Sequence, residues 1–161
     1  MKMTFIRITL FIITIIIINS CERDDICIDE ITPHLNIKFY NNDDQTLLKK
    51  FSQLSVKIIG VENDSINFSS NDSILIPLKV TDDVTQFIIT LDSDQNTFNR
   101  DTLMVSYGRE DVFVGRSCGF KTIFNNANYI LQTGSDNWIL DTETITQTID
   151  NETTAHVKIF H

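Results

Sequence analysis

Positive charge is scarce in this sequence. Thirteen Lys and Arg stand against 22 Asp and Glu, a formal net charge of −9. Lys2 and Arg7 fall in the first twenty positions; without them the balance is 11 against 22, or −11. Nucleic-acid binding draws its affinity from Lys and Arg neutralising phosphates, so no nucleic-acid partner is expected. Histidine is scarce too. His34, His156 and His161 form no H-x-x-x-H or H-E-x-x-H pair. Cys27, His34 and Cys118 lack the paired spacing of a zinc site, so no metal centre is expected. Helical periodicity is missing as well. Past residue 21 no stretch holds an apolar 3.6-residue period for three turns, and residues 45–54 come nearest.

What is present is unevenly placed. Eight isoleucines sit within residues 1–20, behind the positive charges of Lys2 and Arg7. Residues 8–18 are apolar except for Thr9 and Thr14, and the run stops at Asn19-Ser20. A bilayer-spanning helix needs about 20 apolar residues, so this run reads as a secretory signal. Ile18-Asn19-Ser20-Cys21 resembles a bacterial lipobox, which has an aliphatic residue three before the cysteine and a small one directly before it. Asn19 departs from the commonest version. The resemblance implies acylation of Cys21 as the mature N-terminus and a membrane contact through that lipid anchor. Each buried CH₂ contributes about 0.8 kcal/mol, so several chains hold firmly. An uncleaved N-terminal anchor is the other reading. Glu22-Arg23-Asp24-Asp25 behind Cys21 resembles a signal for export to the outer face of the outer membrane, and equally a solvated tether.

Setting Cys21 aside leaves Cys27 and Cys118, an even number in a compartment that permits disulfides. A bridge between them would close a loop of about 90 residues, for which chain entropy gives roughly 4–5 kcal/mol. Two unpaired thiols, one buried beside Phe120, are the alternative.

Strand signals dominate from residue 35. Residues 35–39 alternate apolar and polar, 54–59 place Leu54, Val56 and Ile58 on one face, and 87–91 are apolar on both faces. Residues 74–78 contain Pro77, which cannot donate to a ladder, so this strand belongs at an edge or a bulge. Residues 103–107 and 111–114 flank Gly108-Arg109-Glu110 and predict a hairpin there. Residues 120–124, a long strand over 138–149 with Thr142, Thr144, Thr146 and Thr148 on a wet face, and 157–160 complete the set. Seven to nine short strands predict an all-β fold: an antiparallel β-sandwich, Ig-like or similar, with a small β-barrel as alternative. The expected organisation is a signal peptide over 1–20, an acidic tether over 21–33 and the β domain over 34–161. Asn63-Asp64-Ser65-Ile66 recurs as Asn71-Asp72-Ser73-Ile74, a hairpin-like echo.

Few constellations suggest chemistry. Gly115-Arg116-Ser117-Cys118-Gly119 matches the G-x-S-x-G nucleophile elbow, with Asp136, Asp141 and His156 following in hydrolase order. The elbow needs a strand entering a helix, whereas strand-like sequence follows here, so a tight turn is expected and no catalytic residue. Asp92-Ser93-Asp94-Gln95-Asn96 begins like a calcium loop but has Thr97 where the turn glycine belongs and Leu103 in place of the bidentate Glu. Trp138 and Tyr129 are candidates for a carbohydrate surface or, more simply, for core anchors. Asp64-Ser65-Ile66, Asp72-Ser73-Ile74 and Asp101-Thr102-Leu103 resemble Bacteroidota O-glycosylation acceptors, and turn chemistry explains such triplets equally well.

Cys21-Glu22-Arg23-Asp24-Asp25-Ile26-Cys27, Arg116-Ser117-Cys118-Gly119-Phe120 and His156-Val157-Lys158-Ile159-Phe160 together resemble an uncharacterised family of small flavobacterial lipoproteins, the domain-of-unknown-function family numbered 6452. The resemblance implies a Bacteroidota outer-membrane lipoprotein, on the periplasmic leaflet or the cell surface, in which Cys27 and Cys118 act together. Gly115 lies outside the family pattern, and the family carries no assigned activity. The resulting expectation is a non-enzymatic envelope lipoprotein without cofactor, an interaction or accessory module for an envelope protein or glycan. A carbohydrate- or calcium-binding module of a surface uptake system is the alternative.

Overall fold

The structure is a computed structural model that describes residues 7, 26–27, 32–62, 65–93, 97–132, 134 and 136–161. Cys21 and the signal-like run around Arg7 lie outside the described residues.

Among the described residues nine strands form two sheets. β1 (Leu35–Tyr40), β2 (Phe51–Ile58), β3 (Ser65–Asn71), β4 (Ser73–Ile76), β5 (Val84–Ser93), β6 (Thr97–Gly115), β7 (Gly119–Leu131), β8 (Asp141–Thr144) and β9 (Val157–Phe160) follow in order. One sheet runs β4-β1-β9-β8 and the other β3-β2-β5-β6-β7. Alternation decides which side chains face inward. Leu35, Ile37 and Phe39 of β1, Val157 and Ile159 of β9, Leu54 and Val56 of β2, Phe87 and Ile89 of β5, and Leu103 and Val105 of β6 are all buried. Burying each such side chain stabilises by about 1.5–3 kcal/mol relative to exposure, so the period-two pattern pins the register of both sheets.

The chain passes between the sheets on two sides. After β3, which pairs with β2, the chain turns at Asp72 into β4, which pairs with β1. Phe39 donates its N–H to the Asp72 carbonyl at 2.9 Å and holds that corner. On the other side, β8 pairs with β9, and the chain then bridges Ile149 to Phe124 at the edge of the five-stranded sheet. With both sides linked, the architecture lies between a sandwich and a small barrel.

Several expectations need correction. The sandwich is not purely antiparallel, because β1 and β9 run parallel, with Ile37 opposite Val157. No helix forms over residues 45–54; a turn and a bridge between Tyr40 and Leu48 lead straight into β2. Gly108-Arg109-Glu110 is not a turn. β6 continues through it for 19 residues, and Gly108 instead sits beside a bulge where the register with β7 shifts after Ser106. An isolated glycine inside a strand marks a bulge as readily as a turn. Opposite, Asn126 takes φ +54°, which Asn tolerates better than most residues. The long strand over 138–149 shrinks to β8, because the chain leaves one sheet for the other after Thr144. Finally, the two Asn-Asp-Ser-Ile copies do not make a hairpin. Ile66 and Ile74 fall in β3 and β4, which belong to opposite sheets.

Pro77 comes directly after β4, an edge strand, as its missing donor requires. Trp138 and Tyr129 are 8% and 9% exposed. Trp138 stacks on Phe39 with centroids 6.2 Å apart and donates its indole N–H to the Ile89 carbonyl at 3.2 Å. Both aromatics are therefore core anchors and not a carbohydrate surface. Asp101, from one of the glycosylation-like triplets, is buried and accepts the Ile139 N–H at 2.7 Å. Burial raises its pKa above the ordinary carboxyl value, against the lowering effect of the backbone N–H groups of Ile139 and Trp138.

Candidate functional site

Three places gather polar or exposed apolar chemistry. The first is an arm made by β6 and β7. β5 pairs with β6 only from Thr97 to Ser106, so β6 from Gly108 onward pairs with β7 alone. Arg116, Ser117 and Cys118 form the connecting turn, and Gly119 follows at φ +72°. A three-residue turn closed by a left-handed residue is a standard hairpin solution, and glycine meets it without strain. The G-x-S-x-G string is thus the tip of an antiparallel hairpin, with no helix behind Ser117 to make a nucleophile elbow.

At that tip Phe113 stands directly opposite Phe120. Their rings pack edge to face with centroids 5.3 Å apart, yet they remain 57% and 69% exposed. Cys27 and Cys118 are joined as a disulfide, with Cα atoms 4.9 Å apart, which brings Ile26, 83% exposed, to the same end. Farther along the arm, the Thr122 N–H donates to Thr32 Oγ1 at 3.1 Å. Two points of residues 21–33 are therefore fastened to the arm, Cys27 at its turn and Thr32 at β7. Lys121 Nζ donates to the Asp150 carbonyl at 3.2 Å, and Phe124 exchanges backbone bonds with Ile149. At the arm's base Arg109 Nε donates to Asp83 Oδ1 at 2.7 Å and its Nη1 to the Val80 carbonyl at 2.6 Å.

The second place is a groove of about 480 Å³ over β2, β3 and β5. Ser55 lies opposite both Asn67 and Thr90, and Gln53 opposite Ser69, so these five side chains share one face. Leu54 and Phe68 complete the lining and alternate toward the core. The groove's lining offers amide and hydroxyl groups, a set of donors and acceptors suited to a neutral hydroxyl-rich ligand, and Lys57 follows Ser55 on the same face of β2.

The third is a polar cluster where residues 32–36 meet 150–156. Glu152 accepts hydrogen bonds from the His34 backbone N–H at 2.8 Å and from the His34 ring. Burial raises the Glu152 pKa, but the bonds from His34 outweigh it and hold the carboxyl below its ordinary value. His156 is fully buried, and its Nδ1 accepts the Asn36 N–H at 2.8 Å. That bond fixes the neutral ring with its proton on Nε2. Burial pushes His156 below its ordinary pKa, although the Asn151 backbone and the Asp150 and Glu152 carboxylates favour the charged form. The folded protein thus resists a proton that the unfolded chain takes up at about pH 6.5. Stability is full above that value and falls as pH drops through it. His161, also depressed by burial, acts in the same direction. Unfolding free energies from urea titrations are therefore expected to fall as pH drops below about 6.5, by at most ~1.4 kcal/mol per pH unit for His156. His156→Gln, which keeps an acceptor for Asn36, should flatten that slope; an unchanged slope would show that His156 is not its source.

The sequence-stated residues fall unequally on these places. Cys27 and Cys118 meet as expected. Cys21 lies outside the described residues, and so do Asp94, Gln95 and Asn96 of the calcium-like loop. Among the described residues no group of three His, Cys, Asp or Glu side chains is placed to hold a metal ion. Sequence reading missed the Phe113–Phe120 pair. Its signal was available: Phe113 and Phe120 flank the Gly115-to-Gly119 turn and so become partners across it. The groove had little signal, because β3 is polar along most of its length and shows scant apolar alternation.

No curated protein and no solved structure matches the chain. A family profile matches residues 55–161, which takes in the Arg116–Phe120 and His156–Phe160 motifs and Cys118, and leaves Cys27 before its start. By that match, over more than half of its length and across both sheets, the chain belongs to a family of unknown function (DUF6452).

Proposed function

We propose that the protein is a non-enzymatic binding module held at the bacterial envelope by a lipid on Cys21. The observation that carries this reading is the Cys27–Cys118 disulfide. It fastens the chain six residues past Cys21 to the folded domain, so that the anchor holds a stapled scaffold rather than a loose tail. A disulfide is also the bond expected of a protein exported from the reducing cytosol. The acidic tether and the surplus of acidic residues keep the domain soluble beside a surface it is tied to.

Intact mass of the membrane-extracted protein tests the anchor. The expected species begins at Cys21, carries acyl mass, and gains two hydrogens on reduction of the disulfide. An unprocessed chain with a free Cys21 thiol would sink the reading.

A second reading concerns what is bound, and the groove over β2, β3 and β5 favours it. Its uncharged amide and hydroxyl lining fits a neutral glycan, whose hydroxyls both donate and accept. The mature protein on a glycan array should retain such a ligand, and Gln53→Ala with Asn67→Ala should release it. Silence across the array would remove this reading while leaving the anchor in place.

A further inference from the structure

We propose that the Phe113–Phe120 tip of the β6–β7 arm inserts into the membrane that carries the anchor, at the boundary between headgroups and acyl chains. It thereby fixes the orientation of the domain. The inference rests on acylation of Cys21 and adds a second contact to it.

Reach comes first. Cys27 lies six positions after Cys21, a span of at most about 22 Å even when fully extended. Cys27 is bonded to Cys118 in the turn of the arm. The tip therefore cannot move farther from the bilayer surface than that short segment allows, whatever the rest of the domain does. The Thr32–Thr122 bond ties a second point of the lead-in to the arm.

Composition of the tip comes second. Phe113, Phe120 and Ile26 are among the most exposed large apolar side chains of the described residues, and all three sit at this one end. Arg116, exposed in the turn between the two phenylalanines, supplies a cation at the level where headgroup phosphates lie. The acidic run Glu22-Arg23-Asp24-Asp25 before Cys27 is repelled by anionic headgroups, so a zwitterionic leaflet accepts the tip more readily than an anionic one.

Area decides between a membrane and a second copy of this chain. The three side chains expose on the order of 300–400 Å² of apolar surface. A stable protein interface buries about 800 Å² per partner. The tip is too small to hold a dimer, but adequate as an auxiliary contact for a chain already tethered.

The test uses the membrane-extracted full-length product reconstituted in phosphatidylcholine–phosphatidylethanolamine vesicles, with Phe113→Trp as reporter. Trp138 is buried in the core and supplies the unchanging background in the wild-type protein. With acyl mass found at Cys21, F113W emission is expected to shift to the blue and to be quenched by lipids brominated high on the acyl chain. Acyl mass with unquenched F113W emission overturns the insertion and leaves the anchor standing. Absence of acyl mass overturns the anchor; quenching on vesicle addition then still supports the tip contact, and no quenching overturns both. A blue shift that follows protein concentration without lipid assigns the tip to a second copy and overturns the proposal.

Discussion

Reduction of the Cys27–Cys118 disulfide is expected to lower the unfolding free energy by roughly 4–5 kcal/mol. The bond spans 91 positions, so in the unfolded chain it closes a loop containing β1 to β6. Its main effect is on that unfolded ensemble, whose freedom it restricts. The folded state keeps other ties between the lead-in and β7, including the Thr32–Thr122 bond. Hence the native fold should survive reduction while its margin shrinks. Urea unfolding followed by Trp138 fluorescence, with and without reductant, reads the change. The Cys27→Ser, Cys118→Ser double variant should reproduce it. A steeper denaturant slope is expected alongside the lower midpoint, since the released chain exposes more surface on unfolding. An unchanged midpoint would mean that the bond constrains only the arm.

Phe39→Ala is the second large effect, an expected loss of about 3–5 kcal/mol. Phe39 lies in β1, between β4 and β9, and is fully buried. Its ring meets Phe51 edge-on at 5.1 Å and Trp138 face-on at 6.2 Å, with His161 at 5.9 Å. Those neighbours come from β2, from the β7–β8 connection and from the end of the chain. They cannot all collapse into the space a phenyl ring leaves, so the cost combines lost burial with a residual cavity. Phe113→Ala is the matched comparison. It removes the same side chain from a half-exposed position and should change stability by less than about 0.5 kcal/mol. Thermal unfolding of the pair, side by side, checks both values. Equal losses at the two positions would contradict the assignment of Phe39 to the core and Phe113 to the surface.

Much of the fold was legible because burial repeats every second residue. In β1 and β9 the apolar Leu35, Ile37, Phe39, Val157 and Ile159 are buried, and in β5 Phe87 and Ile89 are, although Val84 there faces out and Thr85 is buried. Pro77 marked an edge through a missing donor, and Gly119 marked a hairpin end through its backbone freedom. Legibility failed where local sequence supports two geometries. Gly108 suits a turn and a bulge alike, and only the continued pairing of β6 with β7 distinguishes them. The segment 138–149 keeps strand-like composition while it crosses from one sheet to the other. β3 went unrecognised because its residues are mostly polar, and it lies at an edge of its sheet.

The scarcity of positive charge, the short apolar run near the N-terminus and the even cysteine pair are properties of composition and order along the chain. The sequence by itself determined them, and with them the all-β class, because each depends only on residue type and local spacing. Which strands become neighbours depends on contacts between distant residues. Only the tertiary structure decided that β1 and β9 run parallel, that Asp72 is a corner between sheets, and that His156 is buried against Asn36. It also decided that Phe113 and Phe120 face water together beside the disulfide. Alternation along a strand tells which residues share a face. It carries no information about whether the next layer covers that face, and at this arm no described residue does so.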